Sequence, residues 1–389
     1  MTLTIAAGVR VEFQGHYRLD VRGRLLAFGT ASDPVLLTSG DPGAFKIDAS
    51  LDGAWNGLRF ERTSAVNNPS RLEYCVIEYA KSIRDSIFVG PLVCDDYSGL
   101  RVVNATIRRN VADYGAAVFC FHCASPQLTG CLIYDNYAFL GGAAVYTLDS
   151  YPRLINCTIA HNHDLNPEAM TEAAAVLSYF SKPRITDCIL WDNTTNYFIP
   201  AQLWEVKPYN TTWSDIDGGW KGEGNIDLDP DFAGAGNDPY SLQSSSPCIN
   251  AAAPDTAGLL LPALDRAGRP RVAGGRVDIG AYEERPLSNG PSGSSLTAHA
   301  RLLPNRPNPF HPRTAIAFAL DHPRKIAVEI FDLSGRRIRT LSHRRFDAGE
   351  HTLIWNGLDT SGRGVAPGVY WVQLRDGTIL DSRKIILIR

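Results

Sequence analysis

The side chains in this chain that could do chemistry fall into three sets. Eight cysteines include a Cys-x-x-Cys at Cys120 and Cys123, with His122 between them. No second pair at zinc spacing accompanies it, and His122 has the opposite strand parity to Cys123, so no metal site is expected there. The second set is acidic. A glycosidase needs two facing carboxylates, but Asp95 and Asp96 are adjacent and fall on opposite faces of a regular strand, while Asp135 and Asp192 hold matching positions before a recurring Asn and read as exposed turn residues. Asp149 and Asp187 complete the candidates, and no catalytic residue is assigned. The acids Asp215, Asp217, Asp227, Asp229 and Asp231 could hold a structural calcium through oxygen ligands, but a solvated loop is the favoured reading and no other cofactor is expected. The third set is His122, Tyr146, Leu148 and Tyr179, with Phe180 beside them. One coil apart on an outward face, such residues could stack on successive sugar rings of an extended glycan, or lie beneath the "NPEAMTE" loop or a linker.

A repeat positions these residues. "PQLTGCLIYDN" from Pro126, "YPRLINCTIAHN" from Tyr151 and "KPRITDCILWDN" from Lys182 align Cys131, Cys157 and Cys188 in one column and Asn136, Asn162 and Asn193 in another. Weaker copies carry Cys75 with Ile77, and Ala105 with Ile107 and Asn110. The anchors at Cys75, Ala105, Cys131, Cys157 and Cys188 recur every 26 to 31 residues, a period that signals stacked units. Cys131 and Ile133 are two apart and share an inward strand face. Asn136 marks the next corner, where Asn tolerates a left-handed φ and its amide can bond the backbone or the Asn one coil above. Strand, corner, strand, corner is the unit of a parallel β-helix, whose coils cannot bury their inner faces alone.

Counting back without gaps from Pro126, Pro152 and Pro183 gives a second set of columns. Ala117, Ala143 and Ala174, then Phe119, Val145 and Val176, are expected to face in. Cys120, Tyr146 and Leu177, then His122, Leu148 and Tyr179, are expected to face out. Cys75, Cys131, Cys157 and Cys188 read as buried free thiols acting as small apolar spacers, since in-register side chains fit a disulfide dihedral poorly. Cys94 and Cys120 share an outward column on adjacent coils, which leaves a bridge between them open.

The whole chain of 389 residues is 44% hydrophobic, which excludes disorder as its main state. A net charge of -3 offers no nucleic-acid footprint, and no apolar run is long enough to span a bilayer. The opening "MTLTIAAGVRVEF" alternates like a strand and lacks a signal-peptide pattern, so the protein either stays inside or this chain lacks its original N-terminus. Residues 1–284 are expected to form the β-helix, with clear repeats over about 55–215 and a cap over about 216–284 that covers the open end and its unpaired strand edges. A Pro/Gly/Ser linker follows over 285–300, and "NPEAMTEAAAV" from Asn166 is at most a short helical turn in a loop. Residues 301–389 alternate in strands with turns between them, as a small immunoglobulin-like β-sandwich does. The fold class is therefore all-β.

Three stretches resemble known families. The repeats with "WNGLRFE" resemble the right-handed parallel β-helix superfamily that includes pectate-lyase-like and surface proteins. Lyases of that fold imply clustered acids for calcium and an Arg or Lys base. "LDRAGRPRVAGGRVDIGAYE" is similar to the ending of bacterial surface β-helix proteins described as choice-of-anchor, matched at Asp278, Ile279, Gly280, Ala281, Tyr282 and Glu283. "LLPNRPNPFHPRTAIAFAL" with "DAGEHTLIWNGLDTSGRGVAPGVYWVQLRDG" and "SRKIILIR" resembles the FlgD-like C-terminal sorting domain of type IX secretion cargo. The resemblance implies a sorting signal at Pro307, Asn308, Pro309, Phe310, Gly335, Gly368, Tyr370 and Lys384, with the secretion machinery as partner. The reading that follows is an extracellular or cell-surface, non-enzymatic protein for adhesion or carbohydrate binding. A polysaccharide lyase or glycoside hydrolase, and a purely structural surface component, are the alternatives.

Overall fold

The computed structural model describes all residues except 68, 84–89, 167–173, 196–201, 205, 208–209, 235–237, 273–274, 285–299, 304, 306, 309, 321, 333–335, 377–378 and 389. Most of the "NPEAMTE" loop and the linker, with Pro309 and Gly335, thus lie outside the described residues. The chain divides into two compact units, Met1–Ser288 and Asn289–Arg389, and each is taken by itself.

Short apolar runs closed by turn residues make strands of two to five residues in the first unit, too short to stand without neighbours above and below. Thr2–Ile5, Arg10–Phe13 and Leu19–Val21 begin three sheets that grow by parallel pairing. The first and second sheets reach eight strands and the third seven, so the chain winds about seven turns. From Lys81–Ser82 onward a fourth sheet of five strands is inserted between the second and third. A complete coil reads Leu100–Val103, Thr106–Arg108, Val111–Tyr114 and Val118–Phe121. Leu100, Val102, Ile107, Val118 and Cys120 point inward at 1% exposure or less. This is a parallel β-solenoid.

The repeat columns become its core. Cys75, Cys131, Cys157 and Cys188 are buried and free, with Ala105 between the first two. Their thiols donate to backbone carbonyls, as Cys157 does to Ile155 at 3.4 Å. Burial pushes the Cys75 thiol up to about 12, so the neutral form packs as a spacer. The asparagines make a ladder. Asn110 donates to Asn136 at 2.9 Å, Asn136 to Asn162 at 2.8 Å and Asn162 to Asn193 at 2.8 Å, and Asn193 ends the run on Gln202 at 2.7 Å. The left-handed φ expected at these asparagines falls instead on the residue before each, at Arg109, Asp135, His161 and Asp192, with φ of 52 to 54°. The amide must aim into the stack, so the corner's unusual backbone passes to its neighbour.

The ungapped columns before Pro152 and Pro183 align as expected, Val145 with Val176 and Tyr146 with Leu177, but those before Pro126 are one residue out of register. Val118 pairs with Val145, Phe119 with Tyr146, Cys120 with Thr147 and Phe121 with Leu148. The cause is an extra residue in the corner after Phe121, where His122 and Cys123 are both left-handed at φ 48° and 57°, while the next two coils turn on Asp149 and Phe180 alone. Phe119 therefore leaves the inward column. Cys120 enters it with its register partner Cys94. Both are fully buried and free, which corrects their outward assignment and closes the disulfide question between them.

Residues 216–284 also depart from expectation, because only their start ends the stack, where Ile216 donates to Ile226 at 3.0 Å. The rest runs along the flank at the corner between the first and second sheets. Tyr74 donates to Asp265 O at 2.9 Å, Asn104 to Leu264 O at 3.0 Å and Asn156 to Asp278 O at 2.9 Å. Those three donors are the left-handed residues of that corner on their coils, so the residues that turn the chain also hold the segment. Within it, Arg271 pairs with Glu283 at 3.3 Å, both 1% exposed. Asp265 accepts the amides of Ala267, Arg269 and Glu283.

The second unit is antiparallel. Ala300–Leu302, Thr314–Leu320 and Gly349–Trp355 form one sheet, and Arg337–Phe346, Arg324–Asp332, Gly368–Arg375 and Ile379–Leu387 the other. Thr314–Leu320 alternates buried and half-buried residues along its length, as a strand with one covered face does. Phe310, Phe318, Phe346, Trp355 and Tyr370 share its core.

Candidate functional site

The outer face of the third sheet carries two rows of side chains. One row is Arg59, Val93, Phe119, Tyr146, Leu177 and Trp204. The other is Glu61, Asp95, Phe121, Leu148 and Tyr179. The charged start thus gives way to an aromatic and aliphatic field over the later coils. Phe119 and Tyr146 stack with centroids 5.1 Å apart and planes within 3°. Tyr179 lies 5.9 Å beyond Tyr146, and Tyr114 packs on Tyr146 from the fourth sheet at 5.0 Å. Gly115 and Gly142 turn the chain beside this field at φ 58° and 62°, where a Cβ would come within 3.1 Å of Tyr146 Cβ and 3.0 Å of Leu177 Cβ respectively.

Of the sequence-predicted residues, Tyr146, Leu148 and Tyr179 share this face, although in two rows. His122 and Phe180 do not belong to either row. They are left-handed corner residues just past the strands, in line with Asp96 and Asp149. His122 reaches back so that Nδ1 lies 2.8 Å from Asp95 Oδ1, with its side chain 46% exposed and that of Asp95 1%. This contact gives the buried Asp95 carboxyl a polar partner and orients the His122 ring. Phe180 is 85% exposed.

A second cluster went unnoticed in the sequence. His161 Nε2 lies 3.1 Å from Asp192 Oδ2, and the Tyr240 hydroxyl shares a hydrogen bond with His161 Nδ1 at 3.2 Å. Burial raises the Tyr240 phenol, and Asp135 and Asp192 nearby add to the rise. Both ring nitrogens of His161 are thus engaged, which fixes the loop at Tyr240 on the solenoid. The signal was present: Asp135, His161 and Asp192 each precede a ladder asparagine, so His161 occupies the same column as the two acids. The expected exposure of Asp135 and Asp192 is replaced by half-buried corners.

The remaining acids are engaged in the solenoid's end and flank. Asp215 accepts Leu228 N at 3.1 Å and the Cys248 thiol at 3.1 Å. Burial raises its carboxyl to about 7. Asp217 accepts Asp192 N at 3.3 Å, Asp227 accepts Gly218 N and Asp229 accepts Asp231 N. Asp187 accepts Ala253 N. Among the described residues no group of three or more His, Cys, Asp or Glu side chains is gathered as a metal ion requires.

In the second unit the Pro-Asn-Pro-Phe stretch clamps the last strand. Asn308 Oδ1 accepts Ile386 N at 2.9 Å, Phe310 N donates to Ile386 O and Ile388 N to Phe310 O. Thr314 donates to Pro307 O at 2.7 Å and Tyr370 to Ala366 O at 2.6 Å. Gly368 pairs with Leu387, and Lys384 with Trp371, in the same sheet.

Residues 311–378 match the family model described as the FlgD Ig-like domain. No curated protein matches the chain. Among solved structures, the Pseudomonas fluorescens alkylpurine DNA glycosylase AlkC bound to DNA containing an abasic site analog is 19% identical over 24% of this chain and 31% of that one, with a TM-score of 0.18. A likeness that slight bears on neither fold nor function.

Proposed function

We propose that this is a cell-surface adhesion protein whose solenoid binds carbohydrate along the outer face of the third sheet. The observation that carries the reading is the pair of half-buried rings Tyr146 and Tyr179 on successive coils, with centroids 5.9 Å apart, beside the buried Phe119. Half-buried rings on successive coils offer apolar surfaces to an extended chain of sugars, and the polar corner at His122 and Asp149 can serve their hydroxyls. Export is supported by the likeness of the last stretch to type IX sorting domains and by the FlgD Ig-like match. The flank ending in Asp278 to Glu283 supports a place among choice-of-anchor surface proteins. On a glycan array, the full chain is expected to bind an extended glycan, and Tyr146→Ala with Tyr179→Ala to lose it while melting like the parent. Undiminished binding by that double variant would remove the aromatic face from the reading. For export, residues 301–389 fused to a reporter are expected to carry it to the surface of a type IX-secreting bacterium, and retention inside the cell overturns that part.

A polysaccharide hydrolase or lyase is the second reading, favoured by the buried Asp95 that orients His122 at the edge of the same face. An oriented imidazole is a general acid or base at neutral pH. Release of reducing or unsaturated ends by the parent, with or without calcium, and its loss in His122→Ala, would establish catalysis over adhesion.

A further inference from the structure

The arginines of this solenoid follow a habit that one face breaks. On strands they sit two residues before an acid on the same face: Arg59 pairs with Glu61 at 3.3 Å and Arg71 with Glu73 at 3.1 Å. On the outer face of the first sheet the Arg71 row continues upward through Arg101, Gln127, Arg153 and Arg184. The Glu73 row beside it becomes Val103, Thr129, Ile155 and Thr186. The cations persist after their counter-charges have gone. Among the described residues Arg101 donates only to the carbonyls of Ser98 and Leu100, and Arg153 only to the carbonyl of Gly258. Arg184 and Lys182, two residues apart on one exposed edge, have no carboxylate partner among the described residues. Like charges directly opposite on a sheet are destabilising, and Arg153 and Arg184 are register partners. Packing therefore gives no reason to keep them.

We infer that the upper part of this row is a binding site for an anionic polysaccharide, with Arg153, Lys182 and Arg184 at its centre. A guanidinium takes a carboxylate through two parallel N–H bonds, and cations repeating at the coil spacing match a polymer that carries one carboxylate per sugar. The exposed ring of Tyr151, on the coil of Arg153, adds an apolar surface for a sugar face. The net charge of -3 makes the molecule a poor general polyanion trap, which favours a spaced, weakly charged polymer over nucleic acid. This inference does not rest on the aromatic field, which lies on a different sheet.

The test is affinity electrophoresis of the full chain through gels containing alginate or the same polymer with its carboxyls reduced to alcohols. We expect retention by alginate only, weakened by salt, and a loss of about tenfold or more in affinity for Arg153→Glu with Arg184→Glu. Arg153→Gln with Arg184→Gln, which removes the like-charge contact between register partners, should melt no lower than the parent and lose alginate retention in the same direction. The same comparison is made in a Tyr146→Ala, Tyr179→Ala background, so that the arginine row is read with the aromatic site removed. Equal retention by both polymers, full retention of the charge-reversed variant, or displacement of alginate by a lower concentration of single-stranded oligonucleotide would each overturn the inference.

Discussion

Cys157 is fully buried between Cys131 and Cys188 in the same column, with its thiol donating to Leu128 and Ile155 carbonyls. An aspartate there would bring a charge with no partner into the core, which costs several kcal/mol or forces neutralisation. We expect Cys157→Asp to lose the cooperative melt of the solenoid, while Cys157→Ala keeps it at a modestly lower temperature. A parent-like melt of the aspartate variant in circular dichroism would show that the column does not face in. Asp215 offers a pH counterpart. Burial, with Asp227 and Asp229 nearby, raises its carboxyl from 3.8 to about 7 despite bonds from Leu228 and Cys248. The folded state therefore holds a proton that the unfolded chain has already released, and stability falls as pH rises from about 4 through about 7. Asp187 and Asp217, each raised to about 6 by burial, act in the same direction. We expect melting temperature to decline between pH 5 and pH 8, and Asp215→Asn to flatten that slope; a slope that the amide leaves unchanged would place the titration elsewhere. At this scale the sequence was readable where a residue type recurs in step, as Cys131, Cys157 and Cys188 do. It misled at Cys120, because the single extra residue in the corner at His122 and Cys123 inverts the parity of Val118–Phe121 when that strand is counted back from Pro126.

The asparagine ladder is the clearest element built from such a column. Each amide donates to the next and to a backbone carbonyl, as Asn162 does to Asn193 and to Ile133 O at 3.0 Å. Removing one rung strands the groups on either side, at about 1–3 kcal/mol for each buried polar group left unpaired. Asn162→Leu is therefore expected to speed hydrogen exchange in the coils of Asn136 and Asn193 more than in the first two coils. Uniform exchange would mean that the ladder does not carry local stability. The flanking segment shows the opposite limit of legibility. Its contacts join Tyr74 to Asp265 and Asn104 to Leu264, pairs so far apart in sequence that no spacing rule relates them. Turn-rich composition announced a covering segment, but nothing local could show that it lies along the flank and not across the open end. His161 is an intermediate case: its column was visible, but its partner Tyr240 comes from beyond the last repeat.

At the scale of the molecule, the two units keep separate cores, with no residue common to both. The solenoid core runs from Ile5 to Ile216 and the second from Leu302 to Leu387. The second unit closes on itself through Phe310, which is 1% exposed and bonded to one edge of the last strand on either side of Leu387, at Ile386 and Ile388. Truncating a buried phenylalanine costs about 3–5 kcal/mol, so Phe310→Ala should release the last strand and melt the second unit alone. Deleting residues 301–389 should likewise leave the solenoid's melting temperature and far-ultraviolet spectrum as they are in the full chain. If the shortened protein aggregates or melts early, the solenoid depends on the second unit and the two are not independent folds. If it melts unchanged, ligand binding can be assigned to the solenoid by repeating the alginate and glycan measurements on it. Any surface display lost with the deletion then reports on the second unit, because the fold that binds has stayed intact.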